Sequence, residues 1–75
     1  MLVNPNPFTD RLNLTMSAEG KSNIFVHDIS GRLICRKEYF RILSEGIDMA
    51  NQPAGIYMLK LTNQSGTQVR KIVKE

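Results

Sequence analysis

Residues 22–36 read SNIFVHDISGRLICR, a stretch in which two apolar runs flank a short polar segment. Ile24 and Val26 occupy alternate positions of the first run, which is the period of two that puts successive side chains on opposite faces of a β-strand. Asp28 and Gly31 occupy the first and fourth positions of a type I turn, where Asp accepts a hydrogen bond from a nearby backbone N–H and Gly adopts a left-handed conformation. The stretch therefore predicts two antiparallel strands joined by a hairpin turn.

The same four-residue turn pattern recurs along the chain. Residues 17–20 and 63–66 repeat it with Ser and Asn at the first position. The segment Gln-Pro-Ala-Gly at 52–55 fits the frame too, because proline at the second position has the φ that such a turn requires. Turns at intervals of roughly 10–12 residues, or twice that, are typical of an antiparallel sandwich or barrel.

Alternating apolar and polar residues predict further strands over 10–16, 32–40, 55–62 and 67–74, with weaker apolar stretches at 2–3 and 46–49. Segment 38–46 has no helix cap and three β-favouring residues, so we interpret it as a connection. Apolar residues that share single strand faces are expected to form one core between two antiparallel sheets. They are Leu12, Leu14, Ile24, Val26, Leu33, Tyr57, Leu59 and Leu61.

The composition is that of one small globular domain. The chain has 75 residues, 41% of them hydrophobic and 23% charged, which is too apolar and too weakly charged for a disordered chain. Its net charge of +3 is a smaller excess than a dedicated nucleic-acid-binding domain carries. The single cysteine excludes an internal disulfide and a cysteine-rich zinc site. No apolar run reaches the roughly 20 residues of a membrane-spanning helix, so we expect no membrane insertion.

No group of residues has the pattern of a catalytic or metal-binding site. A zinc site needs three or four convergent ligands, and Asp28 points to the opposite strand face from His27, the single histidine. Cys35 lies at an apolar-phase position, as expected of a small core residue. A triad of Ser30, His27 and Asp48 would lack an oxyanion hole, and no glycine-rich phosphate loop is present. We therefore expect no enzyme, no metal and no cofactor.

Four basic residues are candidates for contacts with a partner. Arg32 follows the turn glycine, where turn chemistry does not require arginine. It can pair with a nearby acid or backbone carbonyl of the domain, or offer its planar guanidinium to a partner's carboxylate. Arg70, Lys71 and Lys74 are expected to mark an exposed edge strand, where charge either discourages sheet-to-sheet pairing or docks a partner. Exposed edges would also allow a homodimer paired through them.

Four short blocks occur in the order and spacing of a known family. They are NPNPF at 4–8, HDISGRLI at 27–34, PAGIYMLKL at 53–61 and RKIVK at 70–74. Together they resemble the type A C-terminal sorting domain of the type IX (Por) secretion system of Bacteroidetes, over essentially the whole chain. His27 departs from the pattern, because the family usually has tyrosine there, and the change replaces one aromatic ring with another.

The resemblance implies a non-catalytic secretion signal folded as a seven-stranded, antiparallel, immunoglobulin-like β-sandwich. It implies a cargo attached N-terminally, which passes through the periplasm and is secreted or held at the cell surface. The implied partners are the outer-membrane translocon, the shuttle and the sortase of the type IX system. The family-motif residues expected to support the fold are Pro5, Asn6, Pro7, Phe8, Asp28, Gly31, Gly55 and Tyr57.

We interpret residues 1–75 as a single domain excised from a longer secreted protein, with Met1 added for expression. Two other classes remain open. An accessory carbohydrate-binding or spacer module of a secreted enzyme usually offers several exposed aromatic residues, and this chain has no Trp, two Tyr and three Phe. A small basic β-barrel that binds nucleic acid needs aromatic residues between clustered basic ones, and the basic residues here are scattered.

Overall fold

Seven β-strands in two antiparallel sheets make up the described part of the chain. The structure, a computed structural model, describes residues 2–5, 7–16, 20–41 and 44–75. The strands are β1 (Leu2–Asn4), β2 (Arg11–Thr15), β3 (Lys21–Asp28), β4 (Leu33–Phe40), β5 (Ser44–Asp48), β6 (Gly55–Asn63) and β7 (Gly66–Lys74). One sheet has the order β1-β2-β5 and the other the order β4-β3-β6-β7. The predicted all-β, seven-stranded antiparallel sandwich is confirmed.

None of the described segments forms an apolar helix of membrane-spanning length.

The core lies between the two sheets and takes side chains from both. β2 alternates exposed and buried residues, so that Leu12 and Leu14 face inward. Leu59 and Leu61 do the same from β6. Full burial of a side chain of this size stabilises the fold by about 1.5–3 kcal/mol. The buried apolar residues are Phe8, Leu12, Leu14, Met16, Ile24, Val26, Ile47, Met49, Tyr57, Leu59, Leu61 and Ile72.

The prediction that Leu33 belongs to this core is wrong, because its side chain is 50% exposed. Val26 pairs with Cys35, but the next residue of β3, His27, pairs with Leu33. Ile34 is therefore the extra residue of a β-bulge. A one-residue slip moves a side chain to the other face of a sheet, so Leu33 shares the outward face with His27 while Cys35 keeps the inward one.

The interpretation of residues 38–46 as a connection is wrong at both ends. β4 continues to Phe40, which pairs with Lys21 at the start of β3. β5 begins at Ser44 and pairs with β2. The partners that make these residues strands come from elsewhere in the chain, and strand preference depends strongly on such neighbours. The two weaker apolar stretches belong to β1 and β5, as expected.

The turn predicted at 63–66 joins β6 to β7. Asn63 pairs with Gly66, whose φ is +125°. The Oδ1 atom of Asn63 accepts a hydrogen bond from the Ser65 N–H at 2.8 Å, which is the local contact expected of Asn at the first turn position. In the turn predicted at 17–20, residues 17–19 lie outside the described residues, and Gly20 has a φ of +76°.

The turn predicted at 52–55 lies three positions earlier. The Gln52 N–H donates to the Met49 carbonyl at 3.0 Å, and the Ala50 N–H donates to the Asp48 Oδ1 atom at 2.9 Å. β5 and β6 belong to different sheets, so this segment crosses between sheets and does not form a hairpin. The side chain of Asp48 therefore sets the turn, and the segment before Gly55 runs on into β6.

Candidate functional site

Parts of four distant segments meet at one end of the four-stranded sheet. Asp28, at the end of β3, pairs with Tyr57 near the start of β6. Gly55 pairs with Lys74 at the end of β7, and Phe8 forms a parallel bridge to Lys74. This end of the sheet therefore gathers residues from the sequence blocks at 4–8, 27–34, 53–61 and 70–74.

The carboxylate of Asp28 organises the hairpin turn between β3 and β4. Its Oδ1 atom accepts hydrogen bonds from the Ser30 N–H at 3.0 Å, the Ser30 hydroxyl at 2.7 Å and the Arg32 N–H at 2.9 Å. The Gly31 N–H donates to the Asp28 carbonyl at 3.0 Å, and the φ of Gly31 is +90°. The Ser30 hydroxyl, followed by the Arg32 N–H, lowers the pKa of Asp28. The predicted turn roles of Asp28 and Gly31 match this geometry.

Arg32 lies at the mouth of the hairpin, where it pairs with an acid of the domain and is still largely exposed. Its Nε atom is 3.3 Å from the Oδ2 atom of Asp28, so an ion pair within the domain exists. Its side chain is nevertheless 71% exposed. An exposed pair of this kind contributes little to stability, with a median of about 0–1 kcal/mol, and leaves most of the guanidinium accessible to a partner.

A shallow cleft of about 160 Å³ separates the hairpin from the start of β6. Asp28, Arg32, Ile34 and Pro53 are among the residues that line it. The Tyr57 hydroxyl donates a hydrogen bond to the Pro53 carbonyl, which fixes the chain that enters β6. The cleft is smaller than the roughly 300–1,000 Å³ of typical small-molecule sites.

The basic residues of β7 were predicted to mark one exposed edge, but they do not all lie at the surface. Arg70 is exposed, and its guanidinium donates to the Val69 carbonyl at 3.1 Å and the Gln68 Oε1 atom at 3.4 Å. Lys71 is exposed on the opposite face of the strand. Lys74 is 9% exposed, so the prediction that it is a surface charge is wrong.

Lys74 is covered because another segment lies beside the end of β7. The Phe8 N–H donates to the Val73 carbonyl at 2.9 Å, and the Glu75 N–H donates to the Phe8 carbonyl at 2.8 Å. The ring of Phe8 is 1% exposed. β7 is thus an edge strand of its sheet, as predicted, but its C-terminal end is covered by the segment around Phe8.

A family model described as the secretion system C-terminal sorting domain matches residues 2–75. The chain belongs to this family. The resemblance found in the four blocks is therefore confirmed. The sorting domain is a C-terminal secretion-sorting signal for the type IX system, and it serves a cargo, attached N-terminally, that is secreted or displayed on the cell surface. A search of the curated proteins found no match to this chain.

The motif residues of the sorting domain differ in their surroundings. Phe8 and Tyr57 are buried in the core, as expected, whereas Pro5 and Pro7 are exposed. Asn6 lies outside the described residues. Gly55 has a φ of +154°, a backbone conformation that side-chain-bearing residues rarely adopt.

His27 and Cys35 show no catalytic arrangement among the described residues. The ring of His27 stacks on Phe25, with 6.4 Å between ring centroids and 22° between planes. Burial raises the pKa of the Cys35 thiol, which disfavours the reactive thiolate. Within the described ranges, no three His, Cys, Asp or Glu side chains are close enough to hold a metal ion.

Sequence reasoning missed one surface of the sorting domain, the side of the four-stranded sheet that faces away from the core. Ile56 and Met58 lie there at 40% and 37% exposure, on the face of β6 opposite the buried Tyr57 and Leu59. The signal was present in the sequence, because both strand phases of residues 55–59 are apolar. Such a run of apolar residues is typical of a strand that is covered on both faces.

Proposed function

We propose that the sorting domain directs its cargo across the outer membrane through the type IX translocon, after a periplasmic shuttle has bound the folded domain. A sortase then removes the domain, and the cargo is attached to the cell surface. The observation that carries the proposal is the family match over residues 2–75. In this proposal residues 1–75 act as one unit of a longer secreted protein.

The machinery reads rigid features at the edge and end of the four-stranded sheet. Arg32 presents an exposed guanidinium on a fixed hairpin, a geometry suited to a bidentate contact with a carboxylate. Arg70 and Lys71 mark β7, an edge strand beside which an extended partner segment can add. Lys74 is buried at the end of β7, which is held beside Phe8 by backbone hydrogen bonds of Val73 and Glu75. A homodimer that pairs through the β4 or β7 edge remains a prediction, which sedimentation analysis of the isolated domain would test.

The test of the proposed function places this domain behind a reporter that carries an N-terminal signal peptide, in a bacterium with the type IX system. Reporter activity should be found in the medium or on the cell surface, and a reporter without the domain should stay in the periplasm. If the intact fusion also stays in the periplasm, the proposal is wrong. Binding of the isolated domain to polysaccharide affinity gels would then test the accessory-module alternative.

A double variant, Arg70→Gln with Lys71→Gln, tests the role of the β7 charges. Secretion should fall while the melting temperature stays within a few degrees, as expected for surface substitutions. The matched control, Arg11→Gln with Arg41→Gln, removes the same charge from other exposed positions and should be secreted normally. Equal secretion of both variants would show that the β7 charges only protect the edge. Deletion of residues 69–75 is less informative, because it also removes the buried Ile72.

A further inference from the structure

The side of the four-stranded sheet that faces away from the core, here named the outer face, is unusually apolar. Antiparallel sheets with one solvated side normally alternate apolar inward and polar outward residues. On the outer face, Leu33, Ile56, Met58 and Val69 are 50%, 40%, 37% and 48% exposed. These side chains come from three of the four strands, so the apolar character belongs to the surface and not to a single strand.

Strand register places the apolar side chains of the outer face side by side. Leu33 pairs with His27, and His27 pairs with Met58, which gives one row across β4, β3 and β6. Ile56 pairs with Val73 of β7 at the end of the same patch. Cross-strand neighbours on one face are about 4.5–5.5 Å apart, so Ile56 lies beside Val73, and the His27 ring separates Leu33 from Met58 in a strip that is apolar at both ends. Val69 lies beside Lys60 at the margin of this strip.

Fixed positive charges lie beside this strip. The ring of Phe25 lies between two cations, with the Lys60 Nζ atom 5.1 Å and the Arg36 guanidinium carbon 5.8 Å from its centroid. Cation–π contacts of this length hold both cations over the sheet. Glu38 is the acidic residue of the outer face among the described residues, and it lies 3.4 Å from Lys21 and 3.9 Å from Arg36. The outer face therefore carries a net positive charge.

We propose that the outer face docks a partner protein whose matching surface is apolar and carries carboxylates at its margin. The inference rests on the proposed function, because the partner is then a component of the type IX machinery. Four strands of eight or nine residues span about 15–20 Å by about 25–30 Å, or roughly 400–600 Å². This is below the roughly 800 Å² per partner of stable interfaces and suits a transient contact with a carrier.

Charge and shape favour a partner protein on the outer face over a second copy of the domain or a lipid surface. A second copy of the domain would bring two positively charged outer faces together, and like charges across an interface oppose association. A lipid surface would require apolar side chains that enter the headgroup region by about 5–10 Å. The side chains of the outer face lie on a sheet surface and are half covered by their neighbours, so they do not reach that depth.

The secretion assay with outer-face variants tests the inference. Ile56→Ser with Met58→Ser removes apolar contacts, and Arg36→Gln with Lys60→Gln removes charge. Each pair should lower secretion about tenfold, the loss expected when central interface contacts worth about 1.4 kcal/mol are removed. The controls are Leu2→Ser, at a residue of β1 that is 61% exposed, and Arg11→Gln with Arg41→Gln. Both controls should be secreted like the parent.

Thermal melts of the isolated domains accompany the assay. If Ile56→Ser with Met58→Ser (the serine pair) unfolds the domain, Arg36→Gln with Lys60→Gln (the charge pair) still tests the inference. If the parent fusion is secreted and both pairs are secreted equally well, the outer-face inference is overturned and the proposed function stands. If the parent itself is retained in the periplasm, both are overturned. Co-sedimentation with phosphatidylglycerol vesicles that is lost in the charge pair, or a dimer that is lost in the serine pair, would replace the partner protein by lipid or by a second copy.

Discussion

Position 31 requires glycine because of its backbone conformation, and not because a larger side chain would lack room. Its φ is +90°, and a Cβ atom added there would have no heavy atom within 4 Å. Gly31→Val should therefore destabilise the domain by about 1–3 kcal/mol, because a β-branched residue resists positive φ. Gly31→Asn should cost less, because Asn adopts this region more readily. Urea unfolding measures both, and equal losses would point to a side-chain clash instead.

The lowered pKa of Asp28 predicts how stability depends on pH. The folded state favours the ionised carboxylate, because it accepts hydrogen bonds from the Ser30 hydroxyl and the Arg32 N–H. This contribution is present above the ordinary pKa of 3.8 and is lost as the pH falls through the lowered value. The difference in unfolding free energy between the parent and Asp28→Asn should therefore shrink as the pH falls below about 4. A constant difference would show that the charge has no role.

Arg32→Ala should leave stability nearly unchanged. Its ion pair with Asp28 is exposed to solvent, and pairs of this kind contribute about 0–1 kcal/mol. The Arg32 N–H bond to Asp28 is a backbone contact and remains in the variant. A melting temperature within a few degrees of the parent is expected, and a large drop would assign Arg32 to the fold instead of to recognition.

At the scale of single elements, alternation in the sequence predicted where strands lie but not how they pair. Ile24 and Val26 in β3, and Leu59 and Leu61 in β6, are buried as their spacing indicates. Leu33 is not, because the bulge that reverses its face arises only when β4 pairs with β3. A bulge of one residue leaves the local sequence pattern intact, so the sequence alone could not reveal it.

The burial of Lys74 was equally hidden from local sequence. Residues 70–75 read RKIVKE, and so many charges in a terminal strand are typical of an exposed edge. The residue that covers this end, Phe8, lies far away in sequence and joins β7 through a parallel bridge. The turn that positions Arg32 was therefore predicted and the burial of Lys74 was missed, because only the first depends on local sequence.

Lys74 should be replaceable by an apolar side chain of similar length. Its stem is covered, so Lys74→Met should keep the packing, while Lys74→Ser should lose about 1–2 kcal/mol of stability through the missing methylene groups. The amide of Glu75, which donates to the Phe8 carbonyl, should exchange with solvent faster in Lys74→Ser. Equal destabilisation by both substitutions would show that the charge itself stabilises the end of β7.

At the scale of the whole molecule, the sequence predicted the sandwich but not the meeting of its four blocks. Period-two alternation fixes which side chains face inward, and that suffices for two sheets around one core. Where the blocks meet depends on strand order and register, such as the pairing of Asp28 with Tyr57 and of Gly55 with Lys74. These are long-range choices, set by how the whole core packs and not by any one segment.

Because both sheets share this core, they should unfold together. A 75-residue domain has a total stability of roughly 4–11 kcal/mol, and truncation of a fully buried Leu costs about 2–5 kcal/mol. Leu12→Ala in the three-stranded sheet and Leu59→Ala in the four-stranded sheet, both fully buried, should each lower the urea midpoint reported by amides of either sheet. The amides of Ile47 and Val26 are suitable reporters, one from each sheet. If Leu12→Ala shifted the transition of Ile47 alone, the sheets would be separate cooperative units, and the sorting signal could persist on a four-stranded sheet whose partner had unfolded.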